Sequence, residues 1–190
     1  MQKWKGWPWK DMKEDKLKIV FLDVDGELTY SDYENEETAN IDPEKVLLLK
    51  KICDATNAKV VISSSWRGNG DYVPRIYKTL IDILTKYEIE VLGNCPHIDL
   101  EFEGNVPPMI AETTLEDLPL LKIKHGTGRA AEVEQWINEH DVESFVILDD
   151  DDFNWNDYGF EKNWIQPTWF GDGGLKPEHV TKAIEILGKK

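Results

Sequence analysis

Compact apolar runs alternate along the chain with segments in which apolar residues recur every three or four positions. Lys18-Ile19-Val20-Phe21-Leu22 is apolar after its first residue and stops at Asp23, which predicts a strand buried on both faces of a parallel sheet. Val60-Val61-Ile62 predicts a second such strand, ending in Ser63-Ser64-Ser65, and Glu90-Val91-Leu92 a weaker third. Phe145-Val146-Ile147-Leu148 runs straight into Asp149-Asp150-Asp151-Asp152, and Trp164-Ile165 predicts a short strand beyond it.

Helical spacing fills the intervals. Asp42-Pro43 opens a helix, since Asp suits the N-cap and Pro the first turn, and Val46, Leu49, Ile52 and Cys53 face one way until an end near Asn57. Tyr77, Leu80, Ile81 and Leu84 predict a second helix, Ala130, Val133, Trp136 and Ile137 a third, and a closing helix runs from Pro177 to Leu187. Residues 93–127 carry Pro96, Pro107, Pro108 and Pro119 and predict irregular chain that could form a lid. The alternation implies an α/β three-layer sandwich with a mainly parallel, Rossmann-like sheet. Such sheets bind ligands at the carboxyl ends of their strands. Asp23 and Asp25, Ser63 and Ser64, and Asp149 and Asp150 each follow a strand, so the topology predicts that they converge on one sheet edge.

Charge sharpens that picture. The formal net charge is -15, yet residues 21–44 hold nine acids and no base, residues 141–160 hold seven acids and no base, and the remainder is near neutral. Asp32, Glu34, Glu36 and Glu37 read as solvated loop acids. Carboxylates gathered at strand ends repel one another unless a cation lies between them, which marks Asp23, Asp25 and Asp149 to Asp152. Eight Trp, six Tyr and six Phe exclude disorder as the main state. The apolar runs fall far short of the roughly 20 residues that cross a bilayer, and the N-terminus opens no secretory signal, so a cytoplasmic protein without a membrane partner is expected. Cys53 and Cys95 have no spacing that would hold zinc and read as structural thiols. Residues 1–16 interleave Trp4, Trp7 and Trp9 with lysines and read as an extension to a domain spanning 17–190.

IVFLDVDGELT resembles the first motif of the haloacid dehalogenase hydrolases, a hydrophobic strand followed by DxDG. The resemblance implies that Asp23 attacks phosphorus and that Asp25 acts as acid and base. A carboxylate is a competent nucleophile toward phosphorus when a magnesium ion cancels the charge repulsion. VVISSSWR resembles the second motif, whose hydroxyl holds a phosphoryl oxygen: Ser64 is preferred and Ser63 is the alternative. Trp66 reads as packing, and Arg67 as a surface residue that is also a candidate phosphate clamp. FVILDDDDF resembles the fourth motif, which would place Asp149 and Asp150 with Asp23 and Asp25 around Mg2+, while Asp151 and Asp152 orient the loop. The third motif needs a Lys or Arg near a helix start. Arg129 is favoured over Lys124.

Motif order and the late GLK look most like the small haloacid dehalogenase domains of RNA-repair associated and phage-borne proteins. The short inter-motif segments imply a minimal or absent cap. The expected function is a magnesium-dependent phosphomonoesterase working through an aspartyl-phosphate on a phosphorylated small molecule, a nucleotide or a nucleic acid end. Nonspecific nucleic acid binding is not expected at -15 charge. The alternative, motivated by the untidy third motif, is a catalytically idle metal- or ligand-binding module.

Overall fold

A computed structural model describes residues 16–68, 74–103 and 122–188. Five parallel strands, β1 (Leu17–Leu22), β2 (Lys59–Ile62), β3 (Val91–Asn94), β4 (Val142–Leu148) and β5 (Trp164–Ile165), form one sheet in the order β3-β2-β1-β4-β5. Helices α1 (Pro43–Thr56), α2 (Arg75–Lys86), α3 (Gly128–Glu139) and α4 (Pro177–Gly188) cover its faces.

Alternation along β1 explains the three layers. Val20 and Leu22 pack with Leu49 and Ile52 of α1, Leu80 and Leu84 of α2, and Ala183 and Leu187 of α4. Ile19 and Phe21 point the other way, onto Ala130, Val133 and Trp136 of α3 and onto Trp155. The Phe21 and Trp136 rings meet edge to face at 5.5 Å. All four of these β1 side chains are wholly buried, so the central strand has no solvent face, as its unbroken apolar run requires. At α1, the Asp42 side chain accepts the Glu44 amide and Pro43 fills the first turn, as predicted.

The structure alters several expectations. β4 begins at Val142, and β3 is shifted to include Gly93 and Asn94. The stretch read as irregular contains a small antiparallel pairing at its base: Glu103 N–H donates to Lys122 O and Lys124 N–H to Glu101 O, both at 2.8 Å. Residues 1–15 of the expected extension, and residues 104–121 of the possible lid, lie outside the described residues. No helix among the described residues is long and apolar enough to cross a membrane.

Candidate active site

Strand register assembles the site. Leu22 lies level with Ile62 of β2 and Leu148 of β4, so Asp23, Ser63 and Asp149 emerge side by side from three adjacent strands. The ladder continues one step past the strands, with Asp23 N–H on Leu148 O at 2.9 Å and Ser63 N–H on Leu22 O at 2.8 Å. The convergence predicted from three separate apolar runs is therefore a property of the sheet.

One carboxylate oxygen each from Asp23, Asp149 and Asp150 lies within 4.8 Å of the others. Gly26 makes room for this grouping: its φ is +86°, and a Cβ there would stand 2.3 Å from Asp150 Cγ. Backbone carbonyls of the motif loop are held by side chains from farther on. Trp164 Nε1 donates to Asp149 O at 2.7 Å, Trp155 Nε1 to Asp151 O at 3.0 Å, and Gln166 Nε2 to Asp150 O at 2.9 Å. Asp152 takes up the Asn154 amide, in keeping with a loop-orienting role.

Arg129, in the first turn of α3, bridges the acids. Its Nη1 donates to Asp23 Oδ2 at 2.5 Å and to Asp149 Oδ2 at 2.8 Å, and its guanidinium lies 4.5 Å from the centre of the Phe153 ring. Burial opposes the Arg129 charge, but Asp149 and Asp23 together hold the guanidinium above its ordinary value. Burial pushes the Asp149 carboxyl up to about 8 against the pull of Arg129, with Asp23 adding to the rise. Asp150 is raised to about 6 by burial and by Asp151 and Asp23. One guanidinium thus leaves the acid cluster short of positive charge. Hard carboxylate oxygens at close range, strained by like-charge repulsion, are a donor set that fits a magnesium ion.

Asp25 is separate. Its Oδ1 accepts the Thr29 hydroxyl at 2.9 Å and its Oδ2 the Trp66 indole N–H at 2.8 Å, so its carboxylate stands outside the cluster formed by the other three aspartates. Trp66 therefore does more than pack. Its NH-bearing edge orients a carboxylate.

Ser63 and Ser64 are both buried. Ser64 Oγ accepts the Trp66 amide and caps the short 3-10 helix Ser65–Arg67, whereas Ser63 Oγ has no partner among the described residues. Arg67 is not on the surface as expected. It is buried against Glu132 of α3, Nη2 to Oε2 at 2.6 Å, and also donates to Ser64 O at 2.8 Å. Lys124 is exposed and paired with Glu101 at 2.6 Å, so of the two basic candidates the fold brings Arg129 to the aspartates. Cys53 and Cys95 are buried, and burial raises both thiols to about 12, in line with inert packing.

Sequence reasoning did not mark Glu27. Its side chain is wholly buried and neither oxygen has a partner among the described residues. Burial, then Asp23, Asp149 and Asp150, holds its carboxyl well above the usual range. Within an acidic window, nothing in its local pattern distinguishes it from a solvated acid. Glu132 was hidden differently, because its partner Arg67 lies 65 positions away.

Comparison with known families gives a match over residues 19–180 to the HAD domain in Swiss Army Knife RNA repair proteins. No curated protein and no solved structure matches the chain.

Proposed function

The chain belongs to the family of HAD (haloacid dehalogenase) domains in Swiss Army Knife RNA repair proteins, and from that premise we propose a magnesium-dependent phosphomonoesterase working through an aspartyl-phosphate at Asp23. The observation that carries the reading is Arg129 bridging Asp23 and Asp149 at the carboxyl edge of the central strand. That contact supports Arg129 as the basic group of the third motif and so favours turnover over an idle metal- or ligand-binding module.

In the first half-reaction an Asp23 oxygen bonds to phosphorus as the ester P–O bond breaks, and the departing oxygen takes a proton from Asp25. In the second, Asp25 accepts a proton from water, the water oxygen bonds to phosphorus, and the Asp23–phosphorus bond breaks to release inorganic phosphate. Arg129 holds Asp23 in place and offers positive charge to the phosphoryl oxygens. Thr29 and Trp66 keep Asp25 aimed. Asp23, Asp149 and Asp150, with the main chain of Asp25, would hold magnesium, which supplies charge neutralisation between phosphate and nucleophile. Ser64 or Ser63 is the proposed phosphoryl contact. A phosphorylated small molecule or a nucleic acid end is the proposed partner, and the net charge of -15 disfavours binding along a polynucleotide.

Hydrolysis of an aryl phosphate, titrated with magnesium, tests the reading. Asp23→Asn keeps the side-chain shape and should lower turnover by several orders of magnitude in a folded protein. Wild-type turnover in that variant would exclude the covalent route. Asp25→Asn should be severely impaired in both half-reactions.

A further inference from the structure

We infer that the cavity beside Arg129 binds a flat, uncharged ring on the leaving group of the phosphate ester, so that ring-bearing esters are favoured over plain aliphatic ones. The inference rests on the phosphatase reading. The cavity has a volume of about 380 Å³, toward the small end of the roughly 300–1,000 Å³ usual for small-molecule sites. Arg129 is both a wall of this cavity and the partner of Asp23, so a phosphoryl group at Asp23 has the cavity as its neighbour.

Its chemistry is selective. Pro74, Ile98, Leu100 and Phe153 give hydrocarbon walls. Charge is present but already matched: Arg67 is paired with Glu132 at 2.6 Å, and Arg129 with Asp23 and Asp149. Beyond the phosphoryl group that Arg129 meets, a further charged group would lose its water and find Arg67 and Glu132 already paired with each other, whereas an uncharged ring loses little and can still face Arg67 Nε, a donor without a partner among the described residues. Several of the walls are themselves flat. The guanidinium groups of Arg67 and Arg129, the Phe153 ring and the His97 imidazole favour a partner that stacks. Both a nucleobase and a simple aryl ring have that chemistry.

Leu100 controls the space. Its Cδ1 lies 2.5 Å from where a Cβ on Gly128 would stand, so it folds over the start of α3, and it is partly exposed, which makes it replaceable without disturbing the core. The test compares kcat/KM for benzyl phosphate with ethyl phosphate, and for adenosine 5′-monophosphate with ribose 5-phosphate. Within each pair the scissile oxygen belongs to an alcohol of similar reactivity, so the ratio reports the ring. At least one pair should favour the ring by about tenfold or more, and Leu100→Trp or Leu100→Asp should collapse that ratio toward one. A gain in both pairs assigns recognition to flatness, and a gain in the nucleotide pair alone assigns it to a nucleobase. Ratios near one in both pairs, in an enzyme that hydrolyses these esters, would overturn the ring site and leave the phosphatase reading standing. If none of the four esters is hydrolysed with magnesium, the phosphatase reading fails, and calorimetric dissociation constants for the same pairs decide the cavity: equal affinities overturn it, tighter ring binding that is lost in Leu100→Trp supports it.

Discussion

The Trp66 indole N–H donates to Asp25 Oδ2 at 2.8 Å, joining the turn after β2 to the loop after β1. Trp66 is buried, and Ser64 Oγ accepts its backbone amide, so the indole is fixed from both ends. In the proposed mechanism Asp25 first gives and then takes a proton, a role that needs a constant direction. Trp66→Phe keeps the ring and removes the donor. A hydrogen bond to a charged group is worth about 1.5–3 kcal/mol, so kcat should fall roughly tenfold or more. KM should change little, because Trp66 is not placed against substrate. Steady-state kinetics checks this, and unchanged kcat in a folded variant would deny Trp66 the positioning role.

Gly26 sits where β1 gives way to the acid cluster. Alanine there meets two costs: the left-handed backbone at φ +86°, about 1–2 kcal/mol, and the overlap with Asp150. The expected outcome is a melting temperature lower by several degrees together with a higher magnesium requirement, since Asp150 must move. Calorimetry and a magnesium titration read the two effects separately. A variant that loses stability but keeps its magnesium dependence would show that Asp150 is not a ligand.

The fold was legible because β1, β2 and β4 each end in an apolar run followed by aspartate or serine, and burial on both faces leaves such runs few alternatives. β3 was harder, since Gly93 and Asn94 carry the ladder without apolar side chains. The paired base around Glu101, Glu103, Lys122 and Lys124 gives no alternation because those side chains are charged. At the site, Asp23 and Asp149 follow directly from strand ends. Arg67 was misplaced because a lone arginine normally stays in water, and only the fold supplies Glu132 as its buried partner. Glu27 and the indole of Trp66 are the same kind of case, for their importance lies in what surrounds them.

The raised carboxyls set a pH dependence for the metal-free protein. Asp150 moves from an ordinary value near 3.8 to about 6, and Asp149 to about 8. A carboxyl raised in the folded state retains protons that the unfolded chain releases, so its contribution to stability is present below about pH 4 and is lost as pH rises through the folded values. In chelator, the melting temperature should therefore fall between pH 5 and pH 8.5. Magnesium should raise it more at pH 8.5 than at pH 5, because the ion competes with protons for the same oxygens. A chelated protein that gains stability across that range would contradict the burial of these acids.

Replacing Asp149 and Asp150 together by Asn tests the metal assignment without relying on turnover. Asp23, Asp149 and Asp150 crowd within 4.8 Å, with Arg129 the one guanidinium bonded to the cluster among the described residues. At pH 8.5, where both acids of the metal-free protein are largely ionised, two amides in their place relieve the repulsion between Asp23 and its neighbours, but they also take the Asp149 charge from Arg129. The repulsive terms involve three carboxylates and the lost attraction only one pair, which Asp23 still partly replaces, so the metal-free double variant should melt higher than the metal-free wild type. Magnesium should then add less, because a hard cation prefers charged oxygens to amide carbonyls and its stabilisation scales with affinity as RT ln(1 + [L]/Kd). Melting temperatures of both proteins, with chelator and with saturating magnesium, give the two increments. An increment equal to that of the wild type would show that Asp149 and Asp150 do not hold the ion, and the metal site would have to be sought elsewhere on the sheet edge.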